Sequence, residues 1–290
     1  MNGILAPLVT GIAQGSMIAL IALGYSMVYG VLKLINFAHS EIFMMGSFFG
    51  LFALQHFAGL NPVLATALAM ILAMFGTSLL GITVERFAYR PLRGRGKSSL
   101  LRITPLVTAL GASVFLQNLA QLLFTARQRP YPRLFAQTRP LIFATAVVVM
   151  IALELVVKRT WFGKAMRALS TNEEAARLMG IRTSRVIGIT FAIGSSLAAL
   201  GAILYCLDQG DAYPTMGVGI GTRAFVAAVL GGIGSIPGAM LGGLLLGVLG
   251  ELVKFSGFEG SVDIPVFIVL IAVLLVRPAG LLGSTRAEKV

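Results

Sequence analysis

"NPVLATALAMILAMFGTSLLGITV", residues 61–84, carries no charged side chain and opens on an Asn-Pro pair. Pro is pre-organised for the first turn of a helix, so the pair marks a helix start. About 20 consecutive apolar residues suffice to cross the hydrocarbon core of a bilayer as a helix. Outward from this stretch the pattern recurs: residues 4–32 and 41–59 before it, then 104–124, 141–157, 186–206, 223–252 and 263–276 after it. The whole chain of 290 residues is 57% hydrophobic and 12% charged. About a quarter charged is usual for a soluble domain, so most of this chain is expected not to meet water. The expected architecture is all-α: one transmembrane domain over residues 1–290, a polytopic helix bundle of about 8 membrane segments, counted from the hydropathy pattern.

One of those segments is expected to be re-entrant. Residues 223–252 are apolar but interrupted by "GGIGSIPG", with Gly231, Gly232, Gly234, Pro237 and Gly238 forming the break. Broken backbone at membrane depth is tolerated only where protein or a water-filled cavity satisfies it. The net charge of +12 is concentrated between apolar runs, with six Lys and Arg in 86–102 and seven in 158–185. The positive-inside rule makes both segments cytoplasmic, and counting spans back from them puts the N-terminus outside. Arg127, Arg129, Arg133 and Arg139 then fall outside, against the trend but fewer than in either inside segment. No nucleic-acid motif accompanies the basic residues and no aromatics interleave with them, so no nucleic-acid partner is expected. The small-residue spacing of "GSMIALIALG" (15–24) and "GSSLAALG" (194–201) suits close helix packing. The single Cys206 ends an apolar run and reads as a small buried hydrophobe.

"KLINFAHSEIF" (33–43) places a lysine, an asparagine, a histidine, a serine and a glutamate amid apolar runs. On an ideal helix at about 100° per residue, Lys33, Asn36 and Ser40 share a sector of about 60°. His39 and Glu41 fall about 100° to either side of Ser40. One helix face cannot hold them all, so a helix break or a position at the membrane surface is expected. Lys33 can snorkel to the interface, and Asn36 and Ser40 can cap helix ends. Ionisable residues inside a membrane are rare and usually functional. Asn36, His39 and Glu41 are therefore candidate pathway residues, and Gln14, Ser16, Tyr25, Ser26 and Tyr29 of the preceding span could line the same cavity. Helix-packing hydrogen bonds are the plainer reading of each.

Several chemistries lack their residues. "PLRGRGKS" (91–98) ends like a phosphate-binding loop, but Pro91 stands where that pattern needs a glycine. His39 and His56 are the only histidines, and no Cys or carboxylate set around them has metal-ligand spacing. No nucleophile elbow is present. No catalytic residues, metal or cofactor are expected, and any nucleotide-driven step would belong to another subunit.

"GSMIALIALGYSMVYGVLKLINFAHSEIFMMGSF" (15–48) closely resembles the opening of permease subunits of branched-chain amino acid ABC importers of the LivH type. "TALGASVFLQNL" (108–119), "NEEAARLMGI" (172–181) and "VLGGIGSIPGAMLGGLLLGVLGEL" (229–252) agree, so the resemblance covers nearly the whole chain. The connection 125–140 is shorter than that family's usual external segment. Glu174-Ala175-Ala176 and Gly180 fit the generic importer signature, whose terminal Leu-Pro is absent. The resemblance implies a non-catalytic permease subunit of the bacterial inner membrane for branched-chain or other small hydrophobic amino acids. It also implies two cytoplasmic ATP-binding subunits, a second homologous permease and an extracytoplasmic substrate-binding protein. Urea or short amides on the same architecture, or a stand-alone transporter using Glu41 and His39 as a proton relay, are the alternatives.

Within 158–185, "STNEEAARLMGI" supports a short cytoplasmic helix on residue grounds alone. It opens on a Ser/Thr/Asn cap, carries acids in its first turn, and Gly180 stops it. Ala175, Leu178 and Met179 form an apolar stripe on it. In the resembling family this is the helix that couples to the ATPase, which would involve Glu173, Glu174, Ala175, Ala176, Leu178, Met179 and Gly180.

Overall fold

A computed structural model describes residues 2–92, 104–135, 137–257, 260 and 263–283. Gly96, Lys97 and Ser98, the end of the stretch that resembles a phosphate-binding loop, lie outside the described residues. Eleven α-helices occur among the described residues: α1 Asn2–Leu32, α2 His39–His56, α3 Pro62–Val84, α4 Thr104–Phe124, α5 Arg139–Arg159, α6 Trp161–Thr171, α7 Glu173–Leu178, α8 Thr183–Gln209, α9 Met216–Gly231, α10 Ile236–Phe255 and α11 Asp263–Val276. Six are long and apolar enough to cross a membrane: α1, α3 with its extension to Tyr89, α4, α5, α8 and α10. α9 and α11 are apolar but shorter. α2, of 18 residues, is buried on almost every side by its neighbours. A helix enclosed all round needs no polar face, which is why its sequence shows no amphipathic stripe.

Asn61 caps α3 as its Asn-Pro start requires, its Oδ1 accepting the Val63 N–H at 3.0 Å. α3 does not end where the basic residues begin. It continues as a π-helical turn, Glu85–Tyr89, so the loop expected from residue 86 starts later and Tyr89 is buried. The interval 158–185 is likewise not one loop but the end of α5, then α6, α7 and the first turn of α8.

Small residues set the core. α1 and α10 make the most extensive helix pair and run antiparallel, with Gly11 against Val248, Gly15 against Leu244 and Ala19 against Gly243. A Cβ on Gly243 would lie 2.6 Å from the Ala19 Cα, so the two backbones touch where a side chain would stand. Such close approach gains dispersion contacts that replace the hydrophobic drive missing between helices in lipid. α8 packs antiparallel on α1, bringing Gly194 to Gly24 and Gly201 to Met17 and Leu20. The two stretches of matching small-residue spacing therefore pack on each other.

These pairings sort the connections onto two ends. The Tyr89–Asn36 hydrogen bond and the approach of Gly234 to Gly30 gather residues 33–38, 85–92 and 232–235 at one end. Val157 of α5 and Met166 of α6 line a small cavity beside Gly30 and Gly234 at that same end. At the other end Arg129–Pro130 pairs antiparallel with Asp211–Ala212, and Thr138 donates to Asp208 at 2.9 Å. The described parts of both basic segments thus flank the first end, which the positive-inside rule makes cytoplasmic.

Candidate functional site

The helix breaks inside "KLINFAHSEIF". α1 ends at Leu32, Lys33 takes a φ of 55°, and α2 starts only at His39. His39 packs its Nε2 edge onto Gly24, eight residues before the end of α1. At about 1.5 Å per residue, residues 33–38 therefore climb back roughly 12 Å into the bundle before α2 begins. Lys33 stays outside and exposed, its Nζ 5.9 Å from the Tyr29 ring centre, while Asn36, His39, Ser40 and Glu41 are buried.

Each buried member has its own partner. Asn36 Oδ1 accepts the Ala38 N–H at 3.1 Å and the Tyr89 hydroxyl at 2.8 Å. The first of these bonds forms an Asx turn that sets the entry to α2. His39 meets Tyr25 edge-on, with ring centres 4.6 Å apart. Tyr25 also meets Phe225 of α9 at 6.0 Å. Glu41 Oε1 accepts from Ser113 Oγ of α4 at 3.4 Å. Glu41 Oε2 faces Gly217 of α9, where a Cβ would lie 2.9 Å away. Ser40 does not cap the helix; its hydroxyl donates to the Phe37 carbonyl at 2.8 Å. Glu41 Oε2, His39 Nε2 and Asn36 Nδ2 have no hydrogen-bond partner among the described residues. A buried polar atom left in this way costs roughly 1–3 kcal/mol. Ionisable residues inside a membrane are rare and almost always face a bundle interior or a water-filled cavity.

α9 completes the cluster from within the bundle. It begins with Met216 beside Ser47, halfway along α2, where Ser47 Oγ donates to Met216 Sδ at 3.4 Å. Its 16 residues are too short for a full crossing, so the chain enters at depth and leaves at the cytoplasmic end. There the expected break is present. Gly232 and Gly234 have φ values of 103° and 92°, and α10 starts at Ile236 with Pro237 in its first turn. Gly231 and Gly238 are in backbone contact across it. The pair is unequal: a short α9 that starts at Met216, ahead of the expected 223, and a full-length α10.

Of the other candidates, Ser26 is buried on α1 one residue from Tyr25, and Tyr29 is half-buried at the cytoplasmic end. Ser16 lies about 13 Å further along α1 at helical rise and bonds the Ile12 carbonyl at 2.7 Å. Gln14 belongs to a separate place, lining a small cavity with Arg223, Leu246 and Lys254. Ser16 and Gln14 therefore do not join the cluster.

At the cytoplasmic end α7 forms as expected. Asn172 Oδ1 caps it by accepting the Ala175 N–H at 3.0 Å. Gly180, at φ 83°, closes it with N–H bonds from Gly180 to Arg177 O and from Ile181 to Ala176 O. That bond pair is the Schellman stop, which needs a left-handed residue. Ala176 turns inward, whereas Leu178 and Met179 are 84% and 82% exposed. Glu173, Glu174, Arg177 and Leu178 edge a cleft of about 620 Å³ with Arg90, Thr183 and Ser184.

Residues 8–276 match the family described as the permease component of branched-chain amino acid transport systems. The chain belongs to this permease family. It is 41% identical to the high-affinity branched-chain amino acid transport system permease protein BraD of Pseudomonas aeruginosa, across 99% of this chain and 98% of that one. It is 38% identical to LivH of Escherichia coli K12, across 97% and 96%. It is 26% identical to a probable LivH permease of Methanocaldococcus jannaschii, across 94% and 90%.

Sequence reasoning missed two parts of this cluster in the permease and one ion pair apart from it. Tyr89 sits in "ERFAYR", whose arginines resemble the start of a loop, and a π-helical turn leaves no 3.6-residue signal. Ser113 and Gly217 reach Glu41 from helices 72 and 176 residues away in sequence, a proximity that local patterns do not encode. The Arg223–Asp263 pair, at 2.8 Å, was also missed, although an arginine within an apolar run was the available signal.

Proposed function

We propose that this permease is the membrane-embedded, non-catalytic subunit of an ATP-driven importer of the bacterial inner membrane. It carries branched-chain or other small hydrophobic amino acids. A second homologous permease completes the pathway, two cytoplasmic ATP-binding subunits supply energy, and an extracytoplasmic binding protein delivers substrate. The observation that carries this reading, beyond family membership, is the exposed apolar edge of α7. Leu178 and Met179 stand out into the cytoplasm beside a cleft, which suits a docking groove on a partner and wastes apolar surface otherwise. The cluster of Tyr25, Asn36, His39 and Glu41 shapes the translocation pathway. ATPase closure moves α7, rocks the spans, and switches that cluster between outward and inward access.

Reconstitution in vesicles tests the proposal. Uptake should require ATP, the ATPases and the binding protein together. Uptake by this chain alone under a proton gradient would sink it. Charge reversal in Glu174→Lys should weaken ATPase co-purification and uptake together, and unchanged values of both would remove the coupling role of α7.

A further inference from the structure

The coupling cleft and the buried polar cluster are joined by one side chain. Tyr89 ends the π-helical turn after α3, and its neighbour Arg90 lines the cleft beside α7. The Tyr89 ring packs on Phe191, 5.3 Å between centres, and Phe191 lies on α8 two turns beyond the cleft residues Thr183 and Ser184. The Tyr89 hydroxyl donates to Asn36 Oδ1 at 2.8 Å, with both residues 2% exposed. Asn36 uses the same oxygen to hold the Ala38 N–H at 3.1 Å, and so orients the first turn of α2, which carries His39 and Glu41. Displacement of the cleft edge through Arg90 or of the foot of α8 through Phe191 therefore acts directly on Tyr89. A π-helical turn is rare and frequently occurs at functional sites. Here it turns Tyr89 inward from a stretch whose neighbours Arg86 and Phe87 face outward.

We propose that Tyr89 is a positioning residue that transmits movement of the α7 cleft to the polar cluster, through its hydrogen bond to Asn36. The proposal rests on the importer reading above and names the contact through which that reading's coupling passes. Protein–protein hydrogen bonds of this buried kind strengthen in the low dielectric of the interior, so the link is stiff.

The test uses the complete transporter in vesicles and counts amino acids moved per ATP hydrolysed. Tyr89→Phe keeps the ring packing and removes only the donor. The ratio should fall about fivefold, the factor that losing one buried neutral hydrogen bond carries, while ATP hydrolysis continues at the wild-type rate. Asn36→Ala should lower the ratio in the same direction, and adding Tyr89→Phe to it should produce no further fall, because the two residues act through one bond. An unchanged ratio in Tyr89→Phe overturns the proposal, and so does a full additional fall in the double variant. Loss of assembly in Tyr89→Phe overturns it as well, since the bond would then be structural. A wild-type preparation that transports without ATPases removes the importer reading instead, which separates the two failures.

Discussion

Gly243 and Gly247 show how single atoms set the spacing of this bundle. A Cβ on either would enter the backbone of α1 at Ala19 or Gly15. Overpacking of this kind typically costs about 1–3 kcal/mol. Gly243→Val is therefore expected to lower the unfolding temperature in detergent by several degrees, which thermal unfolding would read directly. Gly111→Ala is its control: nothing lies within 4 Å of a Cβ there, so no loss is expected. At the same scale the polar cluster was partly legible. The ionisable types at 33–41 stand out from the oil, and the wheel geometry asked for either a helix break or a surface position; the break is what forms, between Leu32 and His39. Which partners those residues take was not legible, because Tyr89 and Ser113 arrive from helices whose own sequences give no reason to meet them.

Among elements, α7 is the most legible and α3 the least. The ends of α7 are written in local chemistry, Asn172 as cap and Gly180 as stop, so its bounds follow from residues alone. The end of α3 depends instead on Tyr89 finding Phe191 and Asn36, so charge suggested a loop where packing built another helical turn. α7 also makes a clean test of docking. Leu178→Asp replaces an 84% exposed side chain and should leave the unfolding temperature unchanged while reducing ATPase co-purification. Retained co-purification would show that the apolar edge is not the contact.

The whole molecule has two ends, and their assignment can be checked by labelling. The only native thiol, Cys206, is fully buried, so it should stay silent to a membrane-impermeant maleimide. Lys33→Cys and Arg159→Cys should react only when the cytoplasmic face is open, and His56→Cys and Arg127→Cys only from the opposite face. The reverse pattern would invert the molecule. The sequence by itself determined that this is a multi-span helical membrane protein, where its basic segments lie and that one span is broken. Hydropathy, charge placement and Gly-Pro chemistry are local properties, and the bilayer reads them locally. Only the tertiary structure decided that α2 and α9 begin at depth, that α1 and α10 meet backbone to backbone, and that Asn36, Tyr89, Glu41 and Ser113 share one interior. Those facts depend on which helix faces meet, and that is settled by packing between segments distant in the chain.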